Sequence, residues 1–224
     1  GNGRVLALVS PRTGIEWLCL PRFDSPSVFG RLLDAEKGGV FRFLVGDHEP
    51  RGKQRYVSNT NVLVTTIETT DAAWEVVDFA PRLPDGWGVR APIELTRIVR
   101  PIRGRPRIRV DFDPRPDYAR STPEFIEAVG GIIVHGGGCP LVLATDVPIP
   151  YVLGKREFSL DHPVVFSLRY GRNDAPIDLA TAERELASTI EGWRAWARTC
   201  ALPVFAPDAV LRSALCLKLH AYHD

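Results

Sequence analysis

The sequence predicts a mainly β fold: a large antiparallel β-sandwich, or supersandwich, followed by a linker helix. Two observations predict it. Residues 1–176 contain about ten or more short apolar or alternating segments separated by turn residues, a pattern typical of sandwiches and barrels. After residue 177 the apolar spacing becomes helical. We therefore expect a sandwich over 1–176, a linker helix and connector over 177–206, and the start of a further helical domain over 207–224.

The first elements are a predicted hairpin and a predicted short helix. Strands over 4–9 and 15–20 flank the link SPRTG, whose terminal glycine suits a hairpin turn. Residues 25–34 predict a short helix, with Ser25 as its N-cap and Pro26 at its first helical position. The apolar face of this helix would contain Phe29, Leu32 and Leu33.

Five further stretches predict the remaining strands, because each alternates or is continuously apolar between turn signals. Residues 61–83 are expected to form a hairpin, and a Gly-Gly pair punctuates the fourth stretch. The stretches are residues 39–45, 61–83, 93–115, 124–146 and 163–171.

The C-terminal part predicts two helices joined by a connector over 201–207. Residues 178–200 carry apolar residues at three- and four-residue steps, which indicates one amphipathic helix of about six turns. Pro207 can begin the second helix, whose apolar residues surround most of its circumference. Such a helix expects neighbours on two sides, and one sandwich offers one. The sequence therefore predicts a following helical domain. The apolar residues of the last helix are Val210, Leu211, Ala214, Leu215, Leu217, Ala221 and Tyr222.

Composition excludes some classes of function. The chain has 224 residues, 45% hydrophobic and 25% charged, with a net charge of +1 and scattered arginines. This balance favours neither nucleic-acid binding nor a membrane surface, and no apolar run approaches the roughly 18 residues of a membrane span. The first residue is not Met and the last helical pattern stops without a C-cap glycine, so we expect both ends to be incomplete.

The cysteines indicate a compartment rather than a site. The four lie far apart, without a C-x-x-C pair, and each has apolar neighbours. We expect four buried thiols in a reducing compartment, and hence a cytoplasmic protein. The four are Cys19, Cys139, Cys200 and Cys216.

A histidine pair near the C-terminus could contribute two ligands to a metal ion. His220 and His223 are three residues apart, beside Asp224. The spacing differs from H-E-x-x-H and no third ligand follows. Polar positions on the last helix are therefore the preferred interpretation, and the sequence predicts no metal and no cofactor.

Paired carboxylates on one predicted strand could form an acid–base site. Asp111 and Asp113 share a face of the strand over 107–113, and two carboxylates can act on a glycosidic bond. Arg107 and Arg109 share that face. Solvated cross-strand ion pairs are therefore favoured.

The tryptophans predict packing. Trp193 and Trp196, three apart on the long helix, could stack on sugar rings, but attaching the helix to the sandwich is the commoner use. Trp17 and Trp74 lie in predicted strands and are expected in the core.

The tip after the second strand carries an arginine, an aromatic ring and a carboxylate: Arg22, Phe23 and Asp24. One interpretation is structural: Asp24 and Ser25 cap the short helix while Arg22 pairs with a nearby acid. The other is functional: the tip projects from the sandwich into a neighbouring cleft. Caps are frequent, so local physics favours the structural interpretation.

Several segments resemble glycoside hydrolase family 15, the bacterial glucoamylase and trehalase group. The likeness covers nearly the whole chain in order, and the first segment is the most specific. The segments are GNGRVLALVSPRTGIEWLCLPRFDSPSVFGRLLD (1–34), VVDFAPR (76–82), RIVRPIRGRPRIRVDFDPRPDYAR (97–120), ATDVP (144–148), WRAWARTC (193–200) and VLRSALCLKL (210–219).

The resemblance implies an N-terminal β-sandwich joined by a linker helix to an (α/α)6 barrel. The barrel would hydrolyse α-glucosidic bonds with inversion, using two glutamates about 6.5–9.5 Å apart. No position of this chain matches either glutamate motif, so no catalytic residue is assigned here. The chain would end within the first barrel helix, would be inactive alone, and would meet its α-glucoside substrate through the barrel.

With the resemblance, Arg22, Phe23 and Asp24 become candidate residues of the substrate cleft. Arg22 would donate to sugar hydroxyls, Phe23 would stack on the ring, and Asp24 would hold Arg22. The expected function is that of a non-catalytic domain which supports the barrel and shapes its cleft. A stand-alone carbohydrate-binding module and a purely structural interaction domain are the alternatives, and a homo-oligomer is left open.

Overall fold

The computed structural model describes residues 1–86, 88–138, 140–171 and 176–222, and shows two antiparallel sheets packed face to face. The smaller sheet has six strands: β1 (Ala7–Val9), β2 (Ile15–Cys19), β3 (Ser27–Phe29), β4 (Val40–Leu44), β11 (Arg107–Asp113) and β15 (Glu157–Ser159). Their order is β1-β2-β4-β11-β15, with β3 paired to β2. The hairpin predicted over 4–9 and 15–20 is confirmed as β1 and β2.

The larger sheet has eight strands. They are β5 (Lys53–Tyr56), β6 (Leu63–Glu68), β7 (Ala73–Phe79), β10 (Glu94–Arg103), β12 (Glu124–Ala128), β13 (Gly131–His135), β14 (Leu141–Thr145) and β16 (Val164–Tyr170). Their order is β12-β13-β14-β16-β10-β7-β6-β5. A separate ribbon pairs β8 (Leu83–Asp85) with β9 (Gly88–Arg90). The predicted mainly β sandwich and the hairpin within 61–83 are confirmed.

Three helices complete the described chain: α1 (Ile149–Leu153), α2 (Leu179–Ala197) and α3 (Pro207–His220). The N-cap of α2 is Asp178, whose carboxylate accepts from the Thr181 backbone N–H at 2.6 Å. The amphipathic helix predicted over 178–200 is confirmed as α2, and the last helix begins at Pro207 as predicted. None of the helices in the described ranges is long and apolar enough to cross a bilayer.

Aromatic rings from both sheets fill the space between them. Phe41 and Phe43 alternate with Arg42 on β4, so both rings point inward and contact the larger sheet. Phe166 lies 5.8 Å from Phe41 and 5.4 Å from Phe43 between ring centroids, and Trp74 lies 6.2 Å from Phe43. Tilted and edge-on pairs at such distances add to the area term of hydrophobic burial.

One buried arginine joins the two sheets through this core. Arg97 of β10 is fully buried, and its Nε donates to Asp78 Oδ1 of β7 at 2.7 Å. The same guanidinium donates to the Phe41 carbonyl of β4 at 2.7 Å and to the Thr13 carbonyl in the turn between β1 and β2. A desolvated charge is tolerated when its hydrogen bonds are satisfied, and here they cross the sandwich.

The two long helices lie outside the sandwich, on the larger sheet. Ala182 and Leu186 of α2 pack on outward-facing apolar residues, among them Phe79 and Ile98. Trp193, further along α2, is fully buried, which confirms the packing role predicted for it. The same end of α2 packs against Leu211 and Leu215 of α3.

The outer face of the smaller sheet carries ion pairs rather than apolar side chains. Asp111 accepts from Arg42 Nε at 2.8 Å and from Lys155 Nζ at 2.6 Å. Burial alone would raise the pKa of the Asp111 carboxyl, but Lys155 and Arg42 outweigh it and hold that pKa below its usual value. The predicted cross-strand ion pairs are confirmed, although Asp111 is buried and its partners are not Arg107 and Arg109.

The short helix predicted over 25–34 is wrong. Residues 27–29 form β3, in which Phe29 pairs with Leu18 of β2, and Ser25 and Pro26 lie in the preceding loop. Extended backbone buries three successive side chains, Ser27, Val28 and Phe29, whereas helical spacing would bury one face. Of the three residues expected on the apolar face of that helix, Phe29 is buried in β3, but Leu32 and Leu33 are exposed by 61% and 72%.

Two expectations about burial are also corrected. Cys19 is buried, but Cys200 is half-buried and Cys216 is exposed on α3, while Cys139 lies outside the described residues. Trp74 is fully buried as expected, but Trp17 is only half-buried.

Replacing Arg97 by methionine should destabilise the chain by about 3–5 kcal/mol, because Asp78 would keep a buried charge without a cation. Adding Asp78→Asn should recover about 1 kcal/mol or more. The free energy of unfolding by urea measures both. Arg103→Met, at the exposed end of β10, is the control and should cost much less. If Arg97→Met and Arg103→Met lowered the free energy of unfolding equally, this account would be contradicted.

Asp111→Asn should lower the free energy of unfolding by about 1–3 kcal/mol at pH 7, because two cations lose an ionised partner. The folded-state pKa lies below the ordinary value of 3.8, so this stabilisation is complete above pH 3.8 and fades as the pH falls through the folded-state pKa. The gap between variant and parent should therefore narrow in acid. A gap that is the same at pH 7 and pH 2.5 would contradict this. Asp113→Asn, paired with the more exposed Arg115, should have less effect.

Candidate functional site

The candidate tip is the loop over 20–26 that joins β2 to β3. Two hydrogen bonds close it: the Arg22 backbone N–H donates to Ser25 Oγ at 3.2 Å, and the Ser25 N–H donates to the Arg22 carbonyl at 3.2 Å. Prolines at 21 and 26 bound the turn and limit its backbone freedom. The loop therefore presents the side chains between them on a short, fixed arc.

The charged side chains of the tip pair with each other at the surface. Arg22 Nε lies 3.1 Å from Asp24 Oδ1, with side chains exposed by 49% and 76%. An ion pair this exposed to solvent contributes little to stability, but it orients the Arg22 guanidinium. Burial, with the charge of Asp24 second, raises the pKa of the Cys19 thiol at the base of the loop.

The tip contacts the C-terminal end of α3. The Arg22 guanidinium carbon lies 4.2 Å from the centroid of the Tyr222 ring. Phe23 meets Tyr222 edge-on, with centroids 5.8 Å apart, and lies 6.5 Å from the ring of His220. A cation and three rings thus form one surface cluster, which combines hydrogen-bond donors with apolar faces.

Contacts one to two turns earlier in α3 fix the position of its end. Arg212 donates to the Thr60 carbonyl at 2.7 Å and to Asn61 Oδ1, and stacks on Tyr56 at 4.1 Å. Asn61 in turn donates from Nδ2 to the Leu215 carbonyl at 3.0 Å. The helix is therefore attached to the β5–β6 hairpin by polar contacts as well as by its buried leucines.

The opposite side of α3 and the connector before it expose apolar side chains. Leu217 is 74% exposed and Val210 is 39% exposed, while Val204 and Phe205 of the connector are almost completely exposed. Neighbouring exposed apolar residues of this kind mark surfaces that bind another element. The expected one-sided packing of the last helix is confirmed.

The structure brings the three predicted site residues together, and it removes one interpretation of them. Asp24 caps no helix, because β3 stands where the helix was expected. Arg22 does pair with an acid, Asp24. Arg22 and Asp24 are exposed and Phe23 is half-buried against α3 rather than within the sandwich. Contact of these residues with a sugar stays a prediction.

Only one histidine of the predicted pair, His220, lies within the described residues. His220 Nδ1 lies 2.7 Å from the Cys216 carbonyl, so this nitrogen donates to it. His223 and Asp224 lie outside the described residues. Within the described ranges, no group of three or more His, Cys, Asp or Glu side chains is arranged to hold a metal ion.

Sequence reasoning missed the residues that place the tip. Tyr222 and Arg212 lie about 200 residues from the loop in sequence, and both have ordinary helical spacing. Their partners, the turn at 56–61 and the tip, share no local pattern with them. A single sequence carries no signal that would pair such distant segments.

Comparison with known proteins identifies relatives. The sequence model of the family described as trehalase-like, N-terminal matches residues 1–193. The trehalase of Thermoplasma acidophilum is 30% identical over 223 residues, which cover 96% of this chain and 38% of that protein. The trehalase of Mycobacterium tuberculosis is 30% identical over 240 residues, covering 94% and 35%. Trehalase 1 of Sulfolobus acidocaldarius is 43% identical over 81 residues, covering 36% and 14%.

These matches concern one part of longer proteins. The chain spans 38% or less of the length of the relatives it matches. No solved structure matches the chain significantly. The family match covers most of the chain and includes the tip, both sheets and nearly all of α2. The chain therefore belongs to the family of trehalase-like N-terminal domains.

Proposed function

We propose that this chain is the non-catalytic N-terminal domain of an inverting trehalose hydrolase of glycoside hydrolase family 15. The observation that carries the proposal is the bare apolar side of α3, which stands beside the polar and aromatic tip. A helical domain that covers Leu217 and Val210 would bring its surface next to Arg22 and Phe23. The longer relatives named as trehalases supply the substrate class.

In this proposal the reaction itself belongs to the helical domain. Inversion needs one carboxylic acid to protonate the leaving oxygen and one carboxylate to activate water on the opposite face. Both carboxyl groups would belong to glutamates of that domain. The described residues of this chain contribute positioning: the tip forms one wall of the cleft and limits how the disaccharide can lie.

Each tip residue has a chemistry that suits a glucoside. The exposed guanidinium of Arg22 can donate to two hydroxyls at once, and the ring of Phe23 can cover the apolar face of a pyranose. Asp24 acts through Arg22, because it fixes the plane of the guanidinium at 3.1 Å. The rigid sandwich is needed because such contacts tolerate only small displacements.

The first test is hydrolysis by two polypeptides. The 224-residue chain should release no glucose from trehalose, and the polypeptide that continues into the helical domain should release it. The first-formed anomer, followed by NMR, should be inverted at the attacked carbon. Glucose is measured by a coupled assay, with maltose and maltotriose as comparison substrates.

Three outcomes would contradict the proposal. Trehalose hydrolysis by the 224-residue chain would assign catalysis to the sandwich. Tight binding of trehalose to this chain alone, measured by calorimetry, would indicate an independent carbohydrate-binding module. A longer polypeptide that prefers maltotriose would move the substrate class from trehalose to maltooligosaccharides.

The second test concerns the tip. In the longer polypeptide, Arg22→Ala should lower kcat/KM for trehalose by roughly 10-fold or more, because donors to the sugar are lost. The melting temperature should change little, since the Arg22–Asp24 pair is exposed. Steady-state kinetics and calorimetry measure the two quantities.

The matched control is Arg12→Ala. Arg12 is also an exposed arginine in a surface ion pair, with Glu49, but it lies in the turn at the opposite end of β2. This variant should keep full kcat/KM. A large loss of melting temperature in Arg22→Ala, with activity per folded molecule intact, would assign the tip a purely structural role.

A further inference from the structure

Besides Arg97, another arginine is deeply buried, and this one has no counter-ion among the described residues. Arg82 lies between β7 and β8, and only 5% of its surface is exposed. Its guanidinium carbon stacks over Trp193 of α2, 4.8 Å from the ring centroid. Its Nε is buried without a hydrogen-bond acceptor, and no carboxylate in the described ranges pairs with the guanidinium.

The backbone at this position is held firmly. The Arg82 N–H donates to Thr189 Oγ1 of α2 at 3.0 Å. One turn later, Gly192 lets α2 approach closely, since a Cβ there would lie 3.1 Å from the Arg82 carbonyl oxygen. The side chain therefore starts from a fixed point, and its lack of a partner is not the result of a loose loop.

Two further cations lie in the same region. Lys218 lies on α3, whose Leu215 and Leu219 pack in the same cluster as Trp193, the ring under Arg82. Burial lowers the pKa of Lys218, and the positive charge of Arg82 lowers it further. Arg4 is close through Asn2, which accepts from the Arg4 N–H at 3.0 Å and donates to the Pro81 carbonyl at 2.8 Å. Arg4 Nε is also buried without a partner. In the described ranges neither cation is paired with an acid.

Elsewhere in the chain such charges are matched. Arg97 pairs with Asp78, and Arg169 pairs with Glu94, in both cases with buried partners. On α2, Glu183 is already paired with Arg100. An isolated buried charge is costly unless it is compensated. Among the described residues, no acid offsets the charge of Arg82 in this way.

We propose that Arg82, with Arg4 and Lys218, binds a carboxylate side chain of the helical domain that follows α3, and so forms an ion pair between the two domains. This rests on the proposed function. Lys218 lies in the last turn of α3, so the polypeptide beyond that turn is the nearest source. The planar guanidinium suits a carboxylate, which it can bind through two parallel hydrogen bonds.

The test compares Arg82→Met in the 224-residue chain and in the longer polypeptide. Methionine keeps an apolar stem against Trp193 but removes the charge. In the 224-residue chain the melting temperature should be unchanged or higher, because the substitution removes a desolvated charge and breaks no ion pair. In the longer polypeptide it should fall by roughly 5 °C or more, because the carboxylate loses its partner. Arg82→Lys, which keeps a charge, should lose less.

The matched control is Arg100→Met, whose acids Glu75 and Glu183 are both within this chain. It should lower the melting temperature in both polypeptides. Because these experiments measure melting temperature, they test the ion pair even if the longer polypeptide does not hydrolyse trehalose.

Three results would overturn the ion pair: equal shifts for Arg82→Met in both polypeptides, no loss in the longer one, or a 224-residue variant that does not fold. A final experiment tests whether a free anion fills the site instead. The melting temperature is measured in inorganic phosphate and in chloride at equal ionic strength. If phosphate raises the melting temperature of the longer parent but not of its Arg82→Met variant, a free anion fills the site and the proposal fails.

Discussion

The geometry of the whole chain depends on the buried pair of Arg97 and Asp78. The pair lies in the larger sheet, yet two hydrogen bonds of Arg97 end on carbonyls across the sandwich, one on β4 and one in the turn between β1 and β2. Apolar side chains alone would let the sheets slide, because the hydrophobic effect has no direction. The hydrogen bonds of the Arg97 guanidinium are directional, and they set the register of one sheet over the other.

That register determines what the helices can do. The larger sheet presents a flat apolar outer face to α2, and α2 presents Trp193 to α3. The β5–β6 hairpin then holds α3 through Arg212 and Asn61. The loop tip of the smaller sheet reaches the end of α3 because both sheets are fixed by the same core. The position of the tip thus depends on contacts that begin in the core, far from the tip itself.

Sequence reasoning succeeded where structure is encoded locally. Alternation predicted the strands, and helical spacing with Pro207 predicted α2 and α3. It failed over 25–34, because a Ser-Pro start and three spaced apolar residues suit a helix, while pairing with β2 is a long-range effect. The short β5, exposed on every residue, carries no pattern at all. The residues of the tip could be singled out, but their contact with Tyr222 could not.

Charge compensation distinguishes the two ends of the molecule. Within the sandwich, buried cations are matched by acids on neighbouring strands, which is what a self-contained core requires. At the junction with the helices, Arg82 is also deeply buried but has no acid partner among the described residues, and Leu217 is apolar but exposed. A buried cation needs an acid and an exposed leucine needs apolar contact, so a docked surface would have to carry an acidic residue beside an apolar patch to satisfy both.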